Sequence, residues 1–213
     1  MKLGIYGGTF NPVHFGHVNL ARRAIADLGL DRLIVVPANV SPFKTGSFSE
    51  SPLWDRVGRV QAAFAGVEKA EVSLVEIERG GVSYAIDTVR EIAARFAAES
   101  PKLYFVVGED SLAGLERWKD YSELAKLVEF VSYPRTEESS TEIRRLFDEN
   151  HVALNDDAHL AAAVEEGVKR KNGFCPCRLP KNPEFFCPCR EFREQLADPG
   201  FHGLCHCRLY RKP

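Results

Sequence analysis

Apolar and polar positions fall in alternating blocks along the first 135 residues. Short, almost continuous apolar runs at 3–6, 33–36, 72–77, 103–107 and 130–132 predict strands buried on both faces. Between them, apolar residues recur at helical spacing over 18–28, 52–65, 84–98 and 121–127, and Gly29 is placed to close the first helix. Strand and helix alternation implies an α/β fold, a Rossmann-like doubly wound parallel sheet whose ligand site lies at the carboxyl ends of the strands. No internal repeat or low-complexity segment interrupts it.

The last third reads differently. From Lys169 to Pro213 there are ten Lys or Arg against four Asp or Glu, although the whole chain of 213 residues has a net charge of −2. All six cysteines lie between Cys175 and Cys207. Two composition regimes argue for two domains. We place them at 1–145 and 146–213, the second small and mainly α. No apolar run is long enough to span a membrane, and Met1 to Ile5 leads straight into a strand without a signal-peptide core. A cytoplasmic protein with neither a membrane nor a nucleic-acid partner is expected.

The first candidate site follows the first strand. Gly7-Gly8-Thr9-Phe10 makes a glycine-rich turn into a helix, where the backbone can approach an anion and free N–H groups point at it. His14, Gly16 and His17 then stand where a triphosphate would lie. This H-x-G-H element resembles the signature of the nucleotidylyltransferase superfamily. The string from Gly7 to His17 is most similar to the bacterial nicotinate-nucleotide adenylyltransferase family.

The resemblance runs on through about Arg135. It takes in the loop from Pro37 to Lys44, Asp55-Arg56, Gly81-Val82-Ser83-Tyr84 with Asp87-Thr88, and Gly108-Glu109-Asp110 with Trp118. It implies attack by a mononucleotide phosphate on the α-phosphorus of ATP, with pyrophosphate released and no covalent enzyme intermediate. Catalysis is then mostly positioning and charge stabilisation. His14 and His17 would donate hydrogen bonds to phosphate oxygens, Lys44 and Arg144 would clamp the triphosphate, and Mg²⁺ would neutralise the leaving pyrophosphate. Gly7, Gly8, Thr9, Phe10, Gly16, Ser83, Tyr84, Gly108, Asp110, Ser139, Ser140 and Thr141 would line the nucleotide site. Trp118 could stack on the pyridine ring of nicotinate or nicotinamide mononucleotide. Plain structural roles stand beside these: Lys44 as a solvated loop residue, Trp118 as a core cap, Asp110 as a helix N-cap.

Two departures matter. Ala85 follows Ser83-Tyr84 where the family usually has threonine. Only Thr136 to Glu138 separate the last strand region from the turn and helix Ser139-Ser140-Thr141-Glu142-Ile143-Arg144, which in this family follow a further helix and strand. The short connection instead resembles glycerol-3-phosphate cytidylyltransferase.

Cys175-Pro176-Cys177, Cys187-Pro188-Cys189 and Cys205-His206-Cys207 are three CxC units. With Gly173-Phe174 before and Arg178 after, they resemble the catalytic chain of ferredoxin-thioredoxin reductase over roughly the last 60 residues. That family holds a [4Fe–4S] cluster next to a redox-active disulfide. The match implies Cys175, Cys187, Cys189 and Cys205 as iron ligands, Cys177 and Cys207 as the disulfide, and His206 as proton donor or acceptor. The basic balance would attract an acidic electron donor such as a ferredoxin or rubredoxin, and the acceptor would be thioredoxin-like. Zinc or plain structural disulfides are the alternatives for six cysteines. The segment 141–150 is claimed twice, as the phosphate-binding helix of the first domain and as the opening helix of the second.

The leading expectation is therefore an adenylyltransferase of NAD biosynthesis fused to a disulfide reductase-like domain. The rivals are another nucleotidyl transfer such as cytidylyl transfer, and a redox-regulatory protein whose first domain only binds nucleotide.

Overall fold

A computed structural model describes residues 1–43, 55–134 and 139–213. Five parallel strands form one sheet: β1 (Lys2–Gly8), β2 (Arg32–Pro37), β3 (Ala70–Val72), β4 (Lys102–Gly108) and β5 (Glu129–Tyr133), in the order β3-β2-β1-β4-β5. Apolar runs buried on both faces suit a sheet covered by helices. Leu3, Ile5, Ile34 and Val36 are fully buried, and Leu103, Phe105 and Val107 of β4 join the same cluster. The helices are α1 (Phe15–Leu28), α3 (Val75–Arg79), α4 (Ala85–Arg95) and α5 (Tyr121–Leu127), with α2 (Arg56–Phe64) described below. Gly29 closes α1 at φ 59° and donates to Ala26 O.

One expected strand is wrong in part. Residues 72–77 are not a single strand: β3 ends at Val72 and the chain turns into α3. A tertiary contact favours the helical turn. In that turn Glu76 is buried, and its carboxylate accepts a 2.5 Å hydrogen bond from Thr88 Oγ1 of α4. Gly80, at φ 71°, ends that turn.

The chain divides into two compact units. The first holds the sheet and, of the described residues, comprises 1–10, 17–43 and 67–134. The second comprises 11–16, 55–66 and 139–213, so it takes two short stretches from the first half of the sequence. It contains α2, α6 (Ser140–Glu149), α7 (Ala158–Arg170), α8 (Arg190–Ala197) and a three-stranded antiparallel sheet. The strands are β6 (Ala153–Leu154), β7 (Gly203–Leu204) and β8 (Tyr210–Lys212), in the order β6-β8-β7. Its core gathers Ile143 and Phe147 of α6 with Phe192, Leu209, Tyr210 and five cysteines.

Asp55 caps α2 by accepting from Gly58 N–H at 2.9 Å, and pairs with Lys169 of α7 at 2.9 Å. Burial works against the Asp55 carboxylate, but Lys169 and the Gly58 N–H prevail and hold its pKa below the ordinary value.

Candidate functional site

In a sheet of this order, β1 and β4 are neighbours whose crossovers leave in opposite directions, and ligands bind beyond their carboxyl ends. Gly8 ends β1 and Gly108 ends β4. Of the predicted cradle in the first unit, Gly7 and Gly8 are the last residues of β1, and Thr9 and Phe10 turn the chain away from the sheet. Phe10 is in the left-handed region at φ 49° and fully buried, its ring edge-on to Tyr6 at 5.4 Å and to His17 at 5.0 Å. A Cβ at Gly8 would lie 2.9 Å from that ring, so glycine is required there. His17, in the first turn of α1, is thereby braced by Phe10.

Ser83 has a structural duty. Its Oγ accepts from Asn39 N–H at 2.8 Å, and its own N–H donates to Val40 O. Asn39 Nδ2 adds a bond to Gly81 O, so the loop after β2 is tied to the turn before α4. Tyr84 stands at the start of α4 with Lys119 Nζ 4.6 Å from its ring centroid. Asp110 is the second residue of a 3₁₀ run, Glu109–Arg117, whose capping residue is Gly108, so the N-cap alternative for Asp110 does not hold. Trp118 ends that run half-buried, edge-on to Phe105 (5.6 Å) and Phe130 (6.1 Å), with exposed Phe43 at 6.4 Å. Lys44 lies outside the described residues.

In the second unit, the loop 11–16 carries His14, which is buried, and runs through Gly16 in the first turn of α1. Residues from α6 hold its backbone: Ser140 Oγ donates to Pro12 O at 2.9 Å, and Arg144 donates to Asn11 O and to Thr141 Oγ1. Ser139 is the residue before α6. The doubly claimed helix thus has two faces in this unit. Ile143 and Phe147 enter the cysteine-bearing core, while Ser140 and Arg144 grip the histidine loop.

All six cysteines are free thiols; Cys177 is exposed and the other five are buried. Cys205 Sγ and Cys207 Sγ are 3.5 Å apart, and Cys207 also hydrogen-bonds Cys175. These bonds from Cys207 pull Cys175 down to about 6 and Cys205 down to about 7 against the effect of burial, and Cys207 itself is raised. Burial pushes Cys187 up to about 12, with Arg59 opposing, and Cys189 up to about 11. His206 is exposed, and its charge also favours the Cys175 thiolate.

Among the described residues, no group of three or more His, Cys, Asp or Glu is placed to hold a metal ion. The donor set is nevertheless of the kind an iron–sulfur cluster takes: buried thiols in one core, with a cation beside one of them. That cation, Arg59, was not among the predicted site residues. It is 2% exposed, grips Glu165 with Nε and Nη2 at 2.7 and 2.5 Å, and has Nη1 4.0 Å from Cys187 Sγ. A signal existed: Arg56 and Arg59 occupy the same helical stripe as Val60, Ala63 and Phe64, an unusual place for arginine.

Residues 5–163 match the cytidylyltransferase-like family. A probable nicotinate-nucleotide adenylyltransferase of Opitutus terrae is 44% identical over 135 residues, 63% of this chain and 68% of its own. A probable nicotinate-nucleotide adenylyltransferase of Fusobacterium nucleatum is 30% identical over 174 residues, 81% of this chain and 89% of its own. Among solved structures, the nicotinic acid mononucleotide adenylyltransferase of Plasmodium falciparum complexed with NaAD has a TM-score of 0.51 at 16% identity, covering 68% of this chain and 83% of that one. At that identity the likeness is one of fold. No helix among the described residues is long and apolar enough to cross a membrane.

Proposed function

The chain belongs to the cytidylyltransferase-like family and, within it, to the nicotinate-nucleotide adenylyltransferases, and from that premise we propose that it joins nicotinate mononucleotide to the adenylyl group of ATP in NAD biosynthesis. The feature that carries this reading is the H-x-G-H element that follows β1, the central strand, in the chain, with Gly108 as the last residue of β4 and Asp110 soon after it. The mononucleotide phosphate attacks the α-phosphorus, a new P–O bond forms, and the bond to pyrophosphate breaks. His14 and His17 donate hydrogen bonds to phosphate oxygens, strongest as charge builds in the transition state. Lys44 and Arg144 supply positive charge to the triphosphate. Mg²⁺ bound with the nucleotide would neutralise the leaving pyrophosphate, an ion that takes most of its ligands from phosphates and water. Trp118, held on edge by Phe105 and Phe130, offers a ring face to the pyridine.

The cysteine-bearing region, residues 146–213, supplies a second chemistry. Cys175, Cys187, Cys189 and Cys205 would hold a [4Fe–4S] cluster, which when bound stores one electron beside a dithiol. Cys177 and Cys207 would be that dithiol. Their disulfide takes two electrons, arriving singly from an acidic donor of ferredoxin or rubredoxin type, and two protons, with His206 as a carrier. Exposure of Cys177 lets a thioredoxin-like acceptor reach it.

The test is incubation of the full chain with ATP-Mg and nicotinate mononucleotide, with nicotinamide mononucleotide and the pair CTP and glycerol 3-phosphate in parallel. Nicotinate adenine dinucleotide and pyrophosphate in equal amounts are expected. The short link between β5 and α6 favours the cytidylyl alternative, and preferential use of CTP would replace the adenylyl reading.

A further inference from the structure

The loop that carries His14 is packed against the segment that carries the cysteines. Phe15 is edge-on to Phe174 at 6.2 Å and to Phe186 at 6.3 Å, and those two rings meet at 5.2 Å. Each of the pair stands immediately before a cysteine. Backbone bonds lock the two strands of chain together: Phe174 and Phe186 form an antiparallel bridge, Cys175 N–H donates to Phe185 O at 2.8 Å, and Cys187 N–H donates to Gly173 O at 2.9 Å. Neighbouring residues of extended backbone point to opposite faces. The bridge accordingly shows its two rings to Phe15 and turns Cys175 and Cys187 into the core. Gly173, at φ 88°, completes the fit, since a Cβ there would stand 2.5 Å from the Phe186 ring.

We propose that Phe174 and Phe186 are positioning residues for adenylyl transfer, and that through them the transferase loop responds to the chemical state of Cys175 and Cys187. Ser140 and Arg144 fix one end of the loop by its carbonyl groups, and the aromatic pair fixes the other at Phe15. A ligand or substituent on either sulfur acts only one residue from the rings, on the backbone of the bridge itself. A displacement of about 1 Å at a positioning group can cost on the order of a hundredfold in rate. The inference rests on the adenylyltransferase reading above, and its test separates the two.

The full chain is compared with Phe174→Leu, Phe186→Leu, Phe186→Ala and Cys175→Ser, with exposed Leu179→Ser as control. Two readouts are taken on each: kcat and KM for ATP and mononucleotide, and amide hydrogen exchange of residues 11–17. Phe186→Ala is expected to lower kcat at least about tenfold with KM changed less than about threefold, and Phe186→Leu to recover part of the loss. Loop exchange should quicken in the phenylalanine variants and in Cys175→Ser, and stay at the parent rate in Leu179→Ser. The leucine variants keep the core filled, and a double-mutant cycle of Phe15→Leu with Phe186→Leu should be non-additive in kcat. Parent kcat and parent loop exchange in both leucine variants and in folded Phe186→Ala would overturn the proposal. Quickened exchange in the phenylalanine variants with none in Cys175→Ser would overturn the link to the thiols. A parent chain that makes no dinucleotide would refute the transferase reading, and the exchange data would still decide whether the clasp exists.

Discussion

The two units of this chain have interiors of different chemistry. One cluster against the parallel sheet is aliphatic and aromatic, built on Leu3, Ile5, Ile34, Val36 and Phe105, and it contains no cysteine. The corresponding cluster of the second unit has fourteen buried residues, and five of them are cysteines. Its remaining anchors are the stacked and edge-on rings of Phe147, Phe192 and Tyr210. An aliphatic core is stabilised by area removed from water and is indifferent to solution chemistry. A thiol core changes its charge and bonding when the sulfurs are deprotonated, ligated or oxidised. The first half of the molecule is therefore a scaffold, whereas the second is conditional.

The largest expected break in that contrast comes from the cysteines proposed above as iron ligands. Cys189→Ser should abolish iron binding and melt the second unit first, leaving the sheet as a separate later transition in calorimetry. A single unchanged transition would show that the two interiors are not distinct. Next comes His17→Ala, which should reduce adenylyl transfer at least about a hundredfold while leaving the fold intact, since it removes a donor from the transition state rather than a core group. Steady-state kinetics with circular dichroism as control check it; a near-normal rate removes His17 from the mechanism.

Arg59→Met tests the charge at the thiol core. It leaves Glu165 without its partner and should cost about 3 kcal/mol of second-unit stability, most of it recovered in the double variant with Glu165→Gln. Urea titration followed by amide hydrogen exchange of α7 and α8 reads both. The smallest effect concerns Asp55. Its folded pKa is depressed, so its stabilising contribution is complete above the ordinary value of 3.8 and is lost as pH falls through the lower folded value. Half exposed, the pair with Lys169 contributes under about 1 kcal/mol. Asp55→Asn should shift the urea midpoint at neutral pH and lose that effect once the pH falls below the depressed folded value.

Much of the sheet was legible because strands buried on both faces leave an unmistakable apolar run. The failure at 72–77 is instructive: Leu74 to Ile77 has strand-like composition, and the hydroxyl that bonds the buried Glu76 comes from Thr88 in the next helix, which no local pattern announces. The glycine-rich turn after β1 was legible as a motif, yet Ser83 carries a loop-tying bond that no motif announces. The three CxC units stood out by spacing. Arg59 was in plain view as a charge on an apolar helical stripe, but its partner Glu165 lies 106 residues away. Phe15, Phe174 and Phe186 were the least legible, because three ordinary apolar residues become a clasp only when the fold brings them together.

The contrast between the two interiors turns on what the sulfurs hold. Iron and acid-labile sulfide per chain, measured on anaerobically purified protein, test this most directly. The account predicts about four of each, with the broad visible absorption of a [4Fe–4S] cluster. Zinc in place of iron, or six titratable thiols and no metal, would contradict it.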